Sequence, residues 1–191
     1  MKTAQALGLF VLLTAVMTWP QARSFGAEAT PHQDVFFNMW RLEWFAHAVR
    51  TQPAHLFDAN IFYPETRTLA LSDAMIVEGA VAAPLLWAGT RPVLVHNLLL
   101  FGAIALSGAA MFALTLYLTG SRGAGMLAGI VFAFAPYRFE HLMHMELQWT
   151  MWMPLALWAV HRVFETGSVR YGVLTGVLLS LQGISSFYVC C

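Results

Sequence analysis

Charge is what this sequence has least of. Only 10% of its 191 residues are Asp, Glu, Lys or Arg, against about 25% in a soluble globular domain. A hydrophobic content of 59% and a mean hydropathy of +0.63 stand in its place, so composition favours an integral membrane protein. The formal net charge is zero, which argues against a nucleic-acid partner drawn in by bulk charge. Cysteine is nearly absent. Cys190 and Cys191 are sequence neighbours, a placement that rarely bridges without strain, and no metal-type cysteine spacing exists. The chain also has no glycine-rich phosphate loop, no Ser-His-Asp arrangement and no CxxC pair. It shows no internal repeat and no low-complexity tract.

What the sequence does have is a series of apolar segments around one polar island. Residues 4–20 form a first apolar run after Lys2. It reads as an uncleaved membrane helix ending at Trp19-Pro20, or as a signal peptide with Ala27-Glu28-Ala29 as its cleavage pattern. Residues 21–73 form a long outer loop. Within it, 34–50 has helical periodicity, with Phe36, Phe37, Trp40, Trp44 and Ala48 on one face and Asp34, Asn38 and Arg41 on another. That pattern predicts an amphipathic helix in the membrane interface. Residues 74–90 are apolar but short and contain Glu78, Gly79 and Pro84, which predicts a broken or re-entrant helix. Further spans are expected at 92–119, 124–137, 149–164 and 171–191, with a polar helix at 138–148. The expected fold is therefore all-α, a multispan transmembrane bundle with a long extracytoplasmic first loop. The run of apolar residues up to Cys191 suggests the N-terminal portion of a longer protein, truncated at its C-terminus. Lys2, Arg122, Arg162 and Arg170 then fall on the cytoplasmic side, as the positive-inside rule requires. Asp34 and the stretch Arg138–Gln148 share the outer side.

Several residues in these outer stretches have chemistry to offer. Asp34 suits a general base that takes a proton from an acceptor hydroxyl, and it equally suits a helix N-cap. Arg41, Arg67 and Arg138 are outer cations of the type that grips phosphate in paired hydrogen bonds. The plainer alternative for Arg41 and Arg67 is headgroup contact or pairing with Glu43 or Glu65. His141, His144 and Gln148 fall near one helical face with Arg138, which suits substrate hydrogen bonding or interfacial packing. A metal there would need Asp34 or Asp73 to complete the ligand set. Glu146 lies off that face and is expected to be peripheral. Asp58-Ala59-Asn60 has turn chemistry, Asp73 is placed to cap a helix starting near Ala74, and Glu78 should face protein or a cavity.

Three blocks carry a family resemblance. They are D-x-x-x-N-x-W-R-L-x-W (Asp34–Trp44), L-F-D-A-N-I-F-Y-P (Leu56–Pro64) with T-L-A-L-S-D (Thr68–Asp73), and F-A-F-A-P-Y-R-F-x-H-L-x-H-x-x-L-Q (Phe132–Gln148). Together they resemble a bacterial group similar to GT-C-type membrane glycosyltransferases, and the likeness covers most of residues 32–190. The resemblance implies a multi-pass protein of the bacterial inner (cytoplasmic) membrane that acts in the cell envelope. It implies transfer of a hexose or pentose from a polyprenyl-phosphate sugar to an extracytoplasmic glycan, lipid or protein acceptor, usually with inversion. Asp34 matches the acidic residue of the first outer loop, which acts as base or helps hold a divalent metal such as Mg or Mn. Asp34, Asp73 and His141 are the weak metal candidates. Arg138, His141, His144, Gln148, Arg41 and Asp73 are the expected substrate or phosphate contacts. In this group an acidic residue followed by His is common where Ser72-Asp73-Ala74 stands, so Ala74 departs from the pattern. Such enzymes have more spans than this chain supplies, which leaves room for a chain inactive by itself. The competing expectations are a non-enzymatic membrane scaffold, a component of lipid-linked-glycan transport, or an inactive truncated remnant. Transport is disfavoured because polar residues cluster at one interface and no inverted repeat is seen.

Overall fold

Among residues 3–188, which the computed structural model describes, every regular element is a helix. In chain order these are α1 (Thr3–Met17), α2 (Gln33–Thr51), α3 (Ile76–Trp87), α4 (Pro92–Thr119), α5 (Arg122–Ala133), α6 (Pro136–Glu140), α7 (Trp152–Thr166) and α8 (Val169–Ser185). Short 3-10 turns at Gln21–Ser24, Pro53–His55, Thr68–Leu71 and Met145–Gln148 punctuate the connections. Lys2, Cys190 and Cys191 lie outside the described residues.

Proline and glycine set the ends of the longest element. Pro92 opens α4, where a fixed φ suits the first turn and no N–H is required. Gly120 closes it at φ +67°, donating its N–H to the Leu116 carbonyl. Ser121 immediately caps α5 by accepting from the Ala124 N–H at 3.2 Å, so the chain reverses in two residues. Gly167, at φ +61°, closes α7 in the same way. With 28 residues and a mean hydropathy of 2.1, α4 is the one described helix long and apolar enough to cross a membrane, by length and composition alone. At about 1.5 Å per residue it extends about 42 Å. The apolar helices α1 and α3 are shorter.

Packing is organised along α4. Near its middle, Gly108 and Gly129 leave a slot that the Phe10 ring fills, and Phe10 is completely buried. A Cβ on Gly108 would sit 2.6 Å from the Phe10 ring, and one on Gly129 would run into that ring and lie 2.7 Å from the Gly108 carbonyl oxygen. Small residues thus let α1, α4 and α5 approach closely. α7 follows α4 in parallel: Thr150 donates to Ser107 near the start of α7, and Tyr117 packs edge-on against Trp158 and His161 near its end. The α4–α5 and α7–α8 turns therefore share one pole, together with Arg122, Arg162 and Arg170. At the other end of α4, α2 and α3 lie side by side. The Phe45 ring packs on Gly79, and Trp87 Nε1 donates to the Ala46 carbonyl at 3.0 Å.

The outer loop is held by its own polar residues. Asp58 accepts from the Arg67 N–H and pairs with the His55 ring, both at 2.8 Å. The His55 ring, and after it the Arg67 N–H, hold the Asp58 carboxyl below the ordinary carboxylate range. Asn60 accepts from the Trp40 indole at 3.1 Å, so Asp58 and Asn60 do act as turn residues. Arg67 itself adopts φ +56°, and its side chain does not pair with Glu65.

Three expectations are corrected here. The N-cap of α2 is His32, whose ring accepts from the Asp34 N–H, because the chain is still extended at His32 (φ −138°, ψ 147°). Asp34 is already inside the first turn. Both α2 faces are buried in part: Asn38 and Arg41 of the polar stripe are buried against polar backbone and Glu146, Trp44 and Ala48 of the apolar face are buried in an apolar cluster, and Asp34 and Phe36 near the helix start are open. Finally, 138–148 is not one helix. α6 stops at Glu140, and the Gln148 amide donates to the carbonyls of Arg138 and His141, so those carbonyls are satisfied without a continuing helix.

The slot around Phe10 gives the first prediction. Gly129→Val should destabilise the fold by about 1–3 kcal/mol through overpacking, read as a lower midpoint of detergent-titrated unfolding. Gly123→Ala is the control, since a Cβ at that solvent-facing position meets only the Ser121 hydroxyl at 3.9 Å.

Candidate functional site

The N-terminal turn of α2 and the turn His141–Gln148 meet to form a line in which acidic side chains alternate with imidazole and guanidinium groups. Asp34 Oδ2 lies 3.4 Å from His32 Nδ1 and 3.6 Å from His144 Nδ1. The same His144 nitrogen is 3.8 Å from Glu146 Oε1. The other carboxylate oxygen of Glu146 accepts from Arg41 Nη2 at 3.2 Å. Side-chain exposure falls along this line, from 41% at Asp34 and 34% at His144 to 10% at Glu146 and 3% at Arg41. The outer pair is thus open to a substrate, and the inner pair is part of the interior. The His144 contacts exceed direct hydrogen-bond length.

Arg41 anchors the array. It donates to the Asn38 side-chain oxygen and, at 2.7 Å, to the Asp73 carbonyl. Asn38 in turn donates to the Met143 carbonyl at 2.7 Å. Three segments distant in sequence are thereby tied at one point. Glu78, at the start of α3, is fully buried within electrostatic range of Glu146, Arg41 and Asp73. Neither of its oxygens accepts a hydrogen bond from another residue. It faces protein, as a carboxyl in an apolar segment must.

A cavity of 270 Å³ opens beside His144, lined by Tyr137, His141, His144, Glu146, Leu147 and Tyr188. The His141 ring stacks on Tyr137 with centroids 4.1 Å apart, and its Nδ1 is 2.8 Å from the Tyr137 carbonyl. It lies 5.8 Å from the His144 ring. A larger cavity of 590 Å³ holds Asp73 and shares Tyr188 with the first.

Of the residues expected to form a site, Asp34, His144 and His141 are brought together, with Arg41 behind them. The others do different work. Arg138 is buried and spends its guanidinium inside the fold. It donates to the Gln148 carbonyl at 2.6 Å, to the Gln148 side chain at 3.1 Å and to Thr150 at 3.2 Å. Burial lowers its pKa to about 10. With Gln148, which is fully buried, it braces the loop against α4 instead of facing a phosphate. Asp73 does not cap α3, whose N-cap is Met75. Its carboxylate accepts from the Phe187 N–H at 3.0 Å and the Ser186 hydroxyl at 3.4 Å. Arg41 pairs with Glu146, not with Glu43. No three His, Cys, Asp or Glu side chains among the described residues are grouped to hold a metal ion, and Asp34, Asp73 and His141 serve separate partners. The arrangement does not fit a divalent metal.

Glu146, expected to be peripheral, is instead the buried counter-charge of Arg41; Asn38 stands out in sequence only as part of the polar stripe, and His32 does not stand out. Glu146 had one signal: a lone carboxylate between Met145 and Leu147 needs a counter-charge, and buried Arg41 supplies it from 105 residues away. No protein-family model, curated protein or solved structure matches the chain.

Removing one partner of a buried ion pair leaves the other uncompensated. Glu146→Ala should cost about 3–5 kcal/mol of stability. The double change Arg41→Met with Glu146→Leu should recover much of that loss, since a pair of apolar residues removes both charges together. Unfolding midpoints of the three proteins in one detergent check this.

Proposed function

We propose that the chain belongs to a multispan membrane glycosyltransferase, with Asp34 as the base. The membrane part of this reading draws on the outer helix faces. Leu12 in α1, Leu127 and Val131 in α5, Leu157 in α7 and Val173 and Leu179 in α8 are each more than half exposed. Hydrating these apolar side chains would be costly, and contact with lipid would remove that cost. Arg122, Arg162 and Arg170 lie at the pole opposite the His144 array, which accords with a cytoplasmic arginine pole and an extracytoplasmic site.

The observation that carries the enzymatic part is the half-exposed Asp34–His144 pair beside a cavity, backed by Glu146 and Arg41. In the proposed step, Asp34 takes the proton from an acceptor hydroxyl. The hydroxyl oxygen bonds to the anomeric carbon of a polyprenyl-phosphate sugar. The bond from that carbon to the phosphate oxygen breaks, and polyprenyl phosphate leaves with the electron pair. His141 and His144 line the cavity where the leaving phosphate would sit, and a protonated imidazole there would stabilise its charge. They take the role the sequence suggested for Arg138. The resemblance of the three sequence blocks to GT-C-type enzymes supports the same donor class. The competing reading, a non-catalytic membrane scaffold or a transport component for lipid-linked glycans, draws on Arg41 and Arg138, whose guanidiniums are both committed to the fold.

The test uses membranes containing the protein and polyprenyl-phosphate hexose or pentose labelled in the sugar. Transfer by the wild type should fall by about 10²–10⁴-fold in Asp34→Asn, the range of general-base catalysis, with the unfolding midpoint unchanged. Equal transfer by the variant removes Asp34 from the base role. Absence of transfer by the wild type favours the scaffold reading.

A further inference from the structure

At the far end of α2 from Asp34, a second polar groove has no part in the array just described. It has a volume of 520 Å³ and lies where the last turns of α2 meet the turn between α3 and α4. Its walls carry Glu43, His47, Arg50, Trp87 and Arg91. Arg50 and Arg91 are exposed. Neither guanidinium forms a hydrogen bond, ion pair or ring contact among the described residues. They differ in this from Arg41, Arg138 and Arg162, all of which are engaged. His47 is held by Thr51, whose hydroxyl lies 3.2 Å from its Nε2. The Trp87 indole is fixed by its bond to the Ala46 carbonyl and still leaves the residue 47% exposed.

From this placement we infer that the groove is an oxyanion site, taking a phosphate group through Arg50 and Arg91, with Trp87 as an apolar floor for whatever carries it. Two guanidiniums with all donors free match the geometry of a phosphate, which each can meet with paired N–H groups. The rigid backbone beneath them lowers the ordering cost of binding, because Arg50 sits on a formed helix and Arg91 is fixed in the turn before Pro92. Glu43 on the same wall opposes the anion and offers an acceptor for a neighbouring hydroxyl. Sixteen residues of helix separate Asp34 from Arg50, roughly 24 Å at the α-helical rise. One small ligand therefore cannot occupy both sites, and this one stands independently of the glycosyltransferase reading. The phosphate could belong to a lipid headgroup or to a soluble phosphorylated sugar.

Binding to the full chain separates these sources. In neutral-lipid nanodiscs, glucose 1-phosphate and inorganic phosphate are titrated against wild type, Arg50→Gln with Arg91→Gln, Glu43→Gln, and Asp34→Asn. Retention on phosphatidylglycerol vesicles against phosphatidylcholine vesicles is measured for the same proteins. A soluble source predicts saturable binding of glucose 1-phosphate that weakens at least about tenfold in the double arginine variant, a loss of about 1.4 kcal/mol. It also predicts that binding tightens in Glu43→Gln, weakens with salt and is unchanged in Asp34→Asn. A headgroup source predicts instead that preference for phosphatidylglycerol is lost in the double variant. If the double arginine variant matches wild type in both arms, with unfolding midpoints equal, the groove is not an oxyanion site. Loss of binding in Asp34→Asn alone would also overturn the proposal by moving the site to the other end of α2.

Discussion

The Arg41 guanidinium is the point on which the polar end of this molecule depends. It is 3% exposed and reaches Asn38 on its own helix, the Asp73 carbonyl before α3 and the Glu146 carboxylate before α7. A buried cation is costly unless its donors are met and its charge is balanced. Glu146 balances the charge and both terminal nitrogens are bonded, while Nε is left without an acceptor; those bonds fix three chain segments relative to one another. Once they are fixed, the exposed Asp34 and His144 have no freedom to drift apart. A weak outer contact is made definite by a strong inner one.

The interior of the bundle solves a different problem with small residues. Gly108 and Gly129 sit where α4 and α5 would otherwise hold side chains, and Phe10 fills the space. Exchange of bulk for a deep aromatic plug gives specificity to helices whose outer surfaces are almost uniformly apolar. Arg138 joins the two regions. Its bonds to Gln148 and Thr150 pin the polar turn to the middle of α4, near Ser107, rather than to its end.

Local chemistry was easy to see in the sequence, and partners were not. Pro92, Gly120, Ser121 and Gly167 announce helix ends through their own backbone preferences, and those ends fall within a few residues of expectation. The small residues at 107–110 likewise announce close packing. The polar stripe of α2 was visible as a stripe, but periodicity records only that two faces differ. Which face is buried depends on what lies opposite, and Met143 and Glu146 lie about a hundred positions away. The same limit hid Glu146 itself and misassigned Arg138. An arginine looks identical in sequence whether it awaits a phosphate or braces a loop. Asp34 was legible as an accessible carboxylate because its partial exposure follows from its place near a helix start.

The contrast among the arginines carries the last step. Arg41 and Arg138 are buried and committed to the fold, the Arg41 Nε alone lacking an acceptor, and so contribute charge to the fold rather than an open site to a ligand. Arg50 and Arg91 are exposed and unoccupied, yet they are not scattered, because α2 and the α3–α4 turn deliver both to one groove beside an immobilised tryptophan. A solvated surface has no need to hold two unpaired guanidiniums together, since like charges placed close repel. Bringing them into one concavity raises the energy of the empty groove slightly and lowers that of a filled one. That difference is the physical signature of a site awaiting an anion. It separates the two ends of α2 into the Asp34–His144 end and an arginine end held at a fixed distance by one helix.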